Sequence, residues 1–149
     1  MKCILQRVST ASVSVNGQVI GKINQGFLVL LGIEAADTQV DQDKILKKML
    51  DMRIFPNEDG KFDQSLTDIQ GDVLIVSQFT LMADCKKGRR PSFTSAAPPD
   101  KAKAMCDQFI EAVKKAPIGH VATGEFGANM QVALVNDGPV TIPLDSTIL

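Results

Sequence analysis

Alternation of apolar and polar residues predicts short β-strands in the first third of the chain. Residues 12–15 alternate with a period of two, as expected of a strand with one buried face. The Asn16-Gly17 pair that follows tolerates the positive φ angles of a type I′ turn, so Gln18–Ile23 is predicted as the second strand of a hairpin. The run 27–33 is continuously apolar apart from one glycine, which is typical of a strand buried on both faces.

Two segments have the apolar spacing of amphipathic helices, and a buried strand lies between them. Residues 39–52 carry apolar side chains near helical spacing and charged side chains on the other face. Asp72–Ser77 contains four consecutive aliphatic residues and predicts a buried strand, which runs on into residues 78–81. Residues 99–116, with prolines at both ends, predict the second helix. The apolar positions that follow the helical spacing are Val40, Ile45, Met49 and Met52 in the first helix and Ala102, Met105, Cys106, Phe109 and Val113 in the second.

The last part of the chain returns to β-structure. Val121–Thr123 is predicted as a short strand, and residues 130–135 and 140–144 as the two strands of a hairpin with its turn at residues 136–139. Strands joined mostly by connections of hairpin length, with two helices among them, indicate a single α+β domain over residues 1–149 with largely antiparallel pairing. The chain contains no repeat, low-complexity tract or linker that would divide it.

Composition and charge exclude several classes of protein. The chain has 149 residues, of which 44% are hydrophobic, and a formal net charge of −1, which excludes disorder of the whole chain. A near-neutral protein does not bind nucleic acid by bulk electrostatics, so an RNA partner would be contacted by local charge, and we expect no DNA partner. The longest apolar run is too short to span a membrane, and we expect neither a signal peptide nor a membrane partner. Three widely spaced cysteines are expected to be reduced thiols of a cytoplasmic protein.

No residue pattern of a metal or cofactor site is present in the sequence. The single histidine, His120, lies far from every cysteine, and no two residues have the spacing of zinc ligands. The glycines are not spaced as in a phosphate-binding loop or a dinucleotide-binding fingerprint. We therefore expect neither metal nor cofactor. Cys3 and Cys106 are expected to be small buried hydrophobic residues, and Cys85 an ordinary loop residue.

Two segments are poorly explained by folding alone, and a basic loop lies between them. Residues 77–81 place polar side chains directly after a buried strand. This segment is either a strand end that runs out into solvent or part of a site. Residues 136–141 form a predicted turn with a Gly-Pro bond, which can be cis at modest cost. The basic loop carries a charge of +4 within five residues and is either simply solvated or a contact for RNA phosphates. Its basic residues are Lys86, Lys87, Arg89 and Arg90.

Together these segments resemble the D-aminoacyl-tRNA deacylase family. Residues 77–81 are similar to one signature of that family and residues 136–141 to the other. Three further segments are similar in the same order along the chain, so the resemblance covers essentially the whole sequence. They are Arg7-Val8, residues 87–93 and residues 124–130. The tail beyond Pro143 carries no family motif.

The resemblance implies a homodimeric hydrolase with a barrel-like core, which cleaves the ester between a D-amino acid, or glycine, and the 3′-terminal ribose of tRNA. Such an enzyme recycles mischarged tRNA and proofreads translation against D-residues. In the family the Gly138-Pro139 bond is cis, and its turn enters the active site of the partner subunit, with Arg7 placed to hold the turn. The residues implied to line the pocket are Ser77, Gln78, Phe79 and Thr80, with Phe126 and Met130 near the adenosine and the pocket mouth.

The residue types of the first signature leave the catalytic mechanism open. Ester hydrolysis needs an attacking oxygen and hydrogen-bond donors for the oxyanion, and backbone N–H groups around Gln78, Phe79 and Thr80 are candidate donors. Thr80 is the obvious side-chain nucleophile, but the signatures contain no histidine to activate its hydroxyl. We prefer a substrate-assisted reaction, in which the 2′-OH of the terminal ribose helps to activate water or takes part itself, and Thr80 only positions the reacting groups.

Two other functions remain as alternatives. A related tRNA deacylase edits an L-amino acid error, carries a trans Gly-Pro bond and differs at the serine and phenylalanine of the first signature. Ser77 and Phe79 therefore favour the D-specific branch. A non-catalytic, dimeric tRNA-binding module that uses the Arg89-Arg90 loop would bind tRNA with an affinity that ignores the aminoacyl group.

Overall fold

The chain begins and ends in β-structure, as the sequence pattern predicts. The computed structural model describes residues 1–149, with the strands β1 (Lys2–Val15), β2 (Gln18–Ile23), β3 (Gly26–Gly32), β4 (Phe55–Pro56), β5 (Phe62–Gln64), β6 (Asp72–Ser77), β7 (Val121–Thr123) and β8 (Gln131–Asp145). The helices are α1 (Gln39–Asp51) and α2 (Pro99–Lys114), and a 3₁₀-helix spans Phe79–Met82. Neither α-helix is long and apolar enough to cross a membrane.

The predicted hairpin between β1 and β2 is confirmed. Asn16 and Gly17 have φ angles of 51° and 77°, as a type I′ turn requires. The strands are antiparallel on either side of this turn, with Val15 opposite Gln18. The turn residues therefore determined the position of this hairpin, whereas its register shifts at a bulge between Val13 and Ser14.

Six strands form one sheet in the order β2-β1-β3-β6-β7, with β8 paired to β1 as well. β1 is antiparallel to β2, β3 and β8, whereas β6 is parallel to β3 and to β7. The expectation of largely antiparallel sheets is therefore corrected to a mixed sheet. The connection from β3 to β6 contains α1 and the connection from β6 to β7 contains α2, and such crossovers return the chain to the same end of the sheet, so the joined strands are parallel.

The sheet curls until its outer strands meet, which gives the expected barrel-like core. β2 passes β7 so closely that a Cβ atom on Gly21 would lie 2.9 Å from the carbonyl oxygen of Thr123. A glycine at this position therefore permits the close approach of the two backbones. The buried residues inside this curved sheet are Val8, Ala11, Val13, Ile23, Leu28, Leu74, Val76 and Ala122.

The two α-helices cover the other face of the sheet. Phe27, Val29 and Leu31 of β3 belong to a larger hydrophobic cluster with buried residues of both helices, whereas Leu28 belongs to the inner cluster. β3 is thus buried on both faces, as its apolar run predicts. The helix residues of the larger cluster are Ile45 and Met49 in α1 and Met105, Cys106, Phe109 and Val113 in α2.

One position of α1 differs from the sequence prediction. Val40 is 63% exposed, whereas the polar Gln42 is only 2% exposed. The buried face of α1 runs through Gln42, Ile45 and Met49, at i, i+3 and i+7. Val40 lies outside this face, so its place in the predicted apolar stripe is wrong.

Two other segments also differ from their predicted structure. Residues 78–81 do not continue β6, because the chain leaves the sheet after Ser77 and enters the 3₁₀-helix. The hairpin predicted around residues 136–139 is absent, and β8 is a single strand along the whole length of β1. The hairpin prediction is wrong because both halves of β8 pair with β1 and not with each other.

Candidate active site

A cavity of about 510 Å³ opens where β6 ends. Twelve of its seventeen lining residues are hydrophobic, and both its size and its lining are typical of sites for small ligands. Its wall combines the end of β6, the start of α2 and the segment that precedes β8. The sequence-predicted pocket residues Ser77, Gln78, Phe79, Phe126 and Met130 all contribute to this wall.

The first signature turns sharply at the mouth of the cavity. The Gln78 N–H still donates to the carbonyl oxygen of Leu31, at 2.8 Å, and the 3₁₀-helix begins at the next residue. The N–H groups of Phe79 and Thr80 therefore stand at the start of a helix, where an N–H has no acceptor within the helix. Thr80 is exposed and lies outside the cavity wall, and its hydroxyl oxygen accepts a hydrogen bond from Gln78 Nε2.

The second signature forms a bulge in β8. Asn136 pairs with Val8 and Thr141 with Gln6, so the four residues 137–140 lie opposite a single residue of β1. Asn136 closes the neck of this bulge, because its Nδ2 atom donates to Thr141 Oγ1 at 2.9 Å. The extra residues thus leave the sheet as a short loop while the strand continues on both sides.

Arg7 is the residue of β1 that faces the bulge, and it is only 7% exposed. Its Nε atom donates to the carbonyl oxygen of Asp137 at 3.0 Å, and its Nη1 atom donates to that of Ile54 at 2.6 Å. The guanidinium carbon lies 5.3 Å from the centre of the Phe62 ring, within cation–π range. A Cβ atom on Gly138 would lie 2.9 Å from Arg7 Nη2. Arg7 therefore connects the bulge to the β4–β5 hairpin.

Gly138 and Pro139 form the exposed tip of the bulge. The peptide bond between them is cis, and Gly138 has a φ of 129°, which L side chains rarely adopt. Neither residue lines the cavity of its own chain. One chain therefore does not bring its two signatures together.

The basic loop projects from the segment that follows the 3₁₀-helix. Asp84 and Ser92 close it by two backbone hydrogen bonds of 2.8 and 2.9 Å. None of its basic residues takes part in a salt bridge, and all of them are exposed. These residues are Lys86, Lys87, Arg89 and Arg90.

The cavity wall contains no charged side chain. Its one titratable group is Cys106, and burial raises the pKa of this thiol to about 11, so it is protonated and a weak nucleophile at neutral pH. No group of three or more His, Cys, Asp or Glu residues could hold a metal ion. The polar groups available to a ligand are the Ser77 hydroxyl, the amides of Gln78 and Asn129, and the backbone.

Sequence reasoning missed three residues of this region. Asn129 lines the cavity but lies in a segment without recognisable secondary structure. Phe93 contacts Phe79 edge to face, with ring centres 5.0 Å apart. Gly32 makes room for the turn after β6, since a Cβ atom there would lie 2.7 Å from the Met82 methyl carbon. Phe93 and Asn129 lie in the segments 87–93 and 124–130, which resemble the family, but neither was named as a site residue, and nothing in the sequence pointed to Gly32.

Comparison with known proteins identifies the family. A sequence model described as D-Tyr-tRNA(Tyr) deacylase matches residues 4–145, which include both signatures. The chain belongs to the D-Tyr-tRNA(Tyr) deacylase family. Membership makes it an enzyme of the hydrolase class.

Curated members of this deacylase family are similar over nearly their whole length. A D-aminoacyl-tRNA deacylase of Thermosipho melanesiensis is 53% identical over 146 residues, which cover 98% of this chain and 97% of the relative. A D-aminoacyl-tRNA deacylase of Ectopseudomonas mendocina is 56% identical over 145 residues, or 97% of this chain and 99% of the relative.

Solved structures share the fold of this deacylase. One described as c-Myc DNA Unwinding Element Binding Protein has a TM-score of 0.91 and 43% identity, and the match covers 97% of this chain and 98% of that one. Another, described as a probable eukaryotic D-amino acid tRNA deacylase, has a TM-score of 0.80 and 21% identity, with coverage of 96% and 97%. The second likeness concerns the fold alone.

Proposed function

We propose that this chain hydrolyses D-aminoacyl-tRNA. A water oxygen attacks the ester carbonyl carbon, the bond from that carbon to the ribose oxygen breaks, and the ribose oxygen takes up a proton. The products are the free D-amino acid and tRNA. The observation that carries the proposal is the position of the first signature, which forms one wall of the cavity at the end of β6 in a member of a deacylase family.

The oxyanion of the tetrahedral intermediate is stabilised by backbone donors in this proposal. The N–H groups of Phe79 and Thr80 stand free at the start of the 3₁₀-helix, beside the cavity wall formed by Gln78. Such donors stabilise charge that develops in the transition state without needing to reorganise. With no charged side chain in the wall, activation of the water falls to the neighbouring 2′-OH of the terminal ribose.

The active site is completed by a second copy of the chain in this proposal. Gly138 and Pro139 are exposed and lie outside their own cavity, and β8 has a strand partner only on its β1 side. An unpaired edge of 15 residues is a surface that soluble proteins normally cover. A two-fold axis would bring each exposed bulge tip to the cavity of the partner, which gives two equivalent sites.

The bulge excludes L-amino acids in this proposal by steric obstruction. The tip is held from behind by Arg7 and closed at its neck by Asn136, so it presents a fixed surface to the α-carbon of a bound ester. Obstruction of the wrong ligand gives specificity without a pocket for one side chain. Glycine has no side chain to exclude, so glycyl-tRNA is also expected to be hydrolysed.

The rest of the tRNA is held by the basic loop in this proposal. Four exposed cations without salt-bridge partners provide the local positive charge that a protein of net charge −1 needs for phosphates. The 3′-terminal adenosine then occupies the part of the cavity near Phe126 and Met130. This activity belongs in the cytoplasm, where aminoacyl-tRNA is made and used.

The decisive experiment compares matched D- and L-aminoacyl-tRNAs that carry the same amino acid. Ester loss from each is followed with the purified chain and with a Gln78→Ala variant as the control for the cavity. We expect rapid hydrolysis of the D-ester and little hydrolysis of the L-ester above the spontaneous rate. The Gln78→Ala variant should hydrolyse the D-ester slowly.

Two other results would each contradict the proposal. Preferential hydrolysis of the L-ester would indicate an L-editing deacylase. Binding of charged and uncharged tRNA with equal affinity, without hydrolysis of either ester, would indicate a non-catalytic binding module.

A further inference from the structure

Phe79 and Phe93 form an aromatic pair at the rim of the cavity. Their ring centres lie 5.0 Å apart, and the ring planes are inclined by 65°, which is the edge-to-face arrangement that aromatic pairs favour. Phe79 is nevertheless 59% exposed. An edge-to-face pair uses one face of one ring, so most of the Phe79 surface is left for another contact.

The pair lies between the cavity and the basic loop. Phe79 is part of the cavity wall, and Phe93 directly follows Ser92, whose backbone is bonded to Asp84 at the base of the loop. A strand of RNA that leaves the cavity toward the loop cations therefore passes this aromatic pair. The order along such a path is cavity, aromatic rings, positive charges.

Nucleobases are the ligands that fit this order. Aromatic side chains beside a positively charged groove bind single-stranded nucleic acid, because every base has a π-face and every nucleotide a phosphate. The chain contains no Trp and no Tyr among its 149 residues, so only phenylalanines can provide such a surface. Phe79 and Phe126 line the cavity, and of these two only Phe79 is paired with a second phenylalanine, Phe93.

We propose that the Phe79–Phe93 pair is a stacking platform for the nucleobase that precedes the terminal adenosine of the bound RNA. This inference rests on the proposed deacylase function and adds a binding subsite to it. The exposed Phe79 ring carries the base, and Phe93 supports that ring from the side and extends the surface toward the loop. The phosphate on the far side of the stacked nucleotide then points toward the loop cations.

Three minimal substrates separate stacking from the other contacts. The first is a D-aminoacyl ester of adenosine, the second is that of cytidylyl-adenosine, and the third is that of the same dinucleotide with an abasic first ribose. The second and third share every phosphate, so the ratio of their kcat/KM values measures the contribution of the base alone.

The base ratio is the kcat/KM of the cytidylyl-adenosine ester divided by that of the abasic ester. For the wild-type chain we expect a base ratio of at least about fivefold, the lower end for one base stacked on an aromatic side chain. Phe93→Ala should bring this ratio close to one while kcat/KM for the adenosine ester stays within about twofold of wild type. Phe93→Leu, which keeps an apolar side chain and protects the fold, should also lose most of the ratio. Val40→Ala, at a 63% exposed position of α1, is the surface control and should leave all three substrates unchanged.

Three results would overturn the platform. A parallel fall of all three substrates in Phe93→Ala would make Phe93 a structural support of the active site. A base ratio unchanged in Phe93→Leu would show that the ring is not needed. A Phe93→Ala variant with a lower molar mass than the wild type in light scattering, but with the wild-type base ratio, would assign the pair to a contact between chains.

These failures are distinguishable from failure of the proposed function. If the wild-type chain hydrolyses neither the adenosine ester nor intact D-aminoacyl-tRNA, both proposals fall. If it hydrolyses both but Phe93→Ala keeps the wild-type base ratio, the deacylase function stands and only the platform is wrong.

Discussion

The Thr80 hydroxyl is held by its neighbour and has no base beside it. Its oxygen accepts a hydrogen bond from Gln78 Nε2, and Thr80 lies outside the cavity wall. A threonine hydroxyl needs an adjacent general base to act as a nucleophile. At the scale of single residues the geometry therefore favours a positioning role for Thr80, through the amide of Gln78.

Replacement of Thr80 by valine tests this role. Thr80→Val should lower kcat by about 2- to 13-fold, the equivalent of one lost hydrogen bond. Loss of a true nucleophile would instead cost several orders of magnitude. Single-turnover hydrolysis of a D-aminoacyl-tRNA measures the difference, and Thr80→Ser, which keeps the hydroxyl, is the matched control. A Thr80→Val variant that is folded but no faster than the spontaneous reaction would make Thr80 the nucleophile.

The three cysteines should differ in their reactivity toward an alkylating reagent. Burial raises the pKa of Cys3 to about 12 and that of Cys106 to about 11, whereas Cys85 is exposed. At pH 8 a thiol of pKa 11 is about one-thousandth thiolate, and the thiolate is the reactive form. Iodoacetamide should therefore modify only Cys85 in the native chain and all three residues in urea, as measured by peptide mass spectrometry. Equal native labelling of Cys106 and Cys85 would show that the cavity opens far more widely than its structure indicates.

At the scale of elements, the start of α1 depends on one carboxylate. Asp41 accepts hydrogen bonds from the backbone N–H of Thr38 at 2.9 Å and from the hydroxyl of Ser146 at 2.8 Å. The bond from the Thr38 backbone is the main reason that the pKa of Asp41 is lowered from 3.8 to about 2. The charged carboxylate thus caps the helix and ties it to the residues that follow β8.

This cap should make the stability of the chain depend on pH at the acidic end. Because the pKa of Asp41 is lower in the folded than in the unfolded chain, its stabilisation is complete above about pH 4 and is lost as the pH falls toward 2. At pH 7, Asp41→Asn should lower the free energy of unfolding by about 0.5–1 kcal/mol, the lower part of the range for a lost cap because the side chain is partly exposed. Between pH 5 and pH 2.5 the wild-type urea midpoint should fall further than that of Asp41→Asn. Asp43→Asn, at an exposed position of α1, should still show the wild-type pH dependence.

The bulge in β8 is the second element whose support can be tested. Arg7 reaches two carbonyl oxygens at once, those of Asp137 and Ile54, and a lysine has no planar fork with which to do so. Arg7→Lys should therefore loosen the bulge, and hydrolysis of L-aminoacyl-tRNA should rise more than hydrolysis of D-aminoacyl-tRNA falls. Lys2→Ala, on the same strand but partly exposed, is the control. If Arg7→Lys loses D-activity while it still rejects the L-ester completely, the bulge does not discriminate by obstruction.

At the scale of the whole molecule, one chain leaves two features unpaired. The outer edge of β8 has no strand partner, and Val135 on that strand is 57% exposed. The tip formed by Gly138 and Pro139 belongs to the second signature and lies away from the cavity that the first signature lines. A second copy of the chain would cover the edge and supply the tip.

We therefore expect a homodimer in solution. Light scattering at micromolar concentration should give twice the 16.1 kDa of one chain. A fully active species of 16.1 kDa would rule out a site that is shared between subunits.

A mixing experiment tests whether the bulge acts on the partner's cavity. An excess of Gln78→Ala chains, which have an intact bulge, is exchanged with Arg7→Lys chains, which have an intact cavity. If the site is shared, each working cavity receives a wild-type bulge, so hydrolysis of the L-ester should disappear while D-ester hydrolysis per Arg7→Lys chain is kept. L-ester hydrolysis that stays unchanged per Arg7→Lys chain would mean that the bulge serves its own subunit.

The sequence alone determined those features that depend on neighbouring residues. Asn16-Gly17 set a hairpin because its two residues accept positive φ, and the aliphatic run of β6 set a buried strand. The pocket residues Ser77, Gln78 and Phe79 were expected only from the resemblance of the consecutive residues 77–81 to a family signature, and all three line the cavity. Even the extent of both α-helices followed from apolar spacing to within two residues.

Only the tertiary structure decided the features that depend on distant partners. Residues 136–141 look like a hairpin turn by themselves, but β1 pairs with both sides of them, and the four residues left over become a bulge opposite Arg7. The parallel neighbours of β6 and the contact between Phe79 and Phe93 likewise join segments far apart in the chain. Local conformational preferences carry no information about which strand lies alongside, because register and strand order are fixed by burial of the whole sheet.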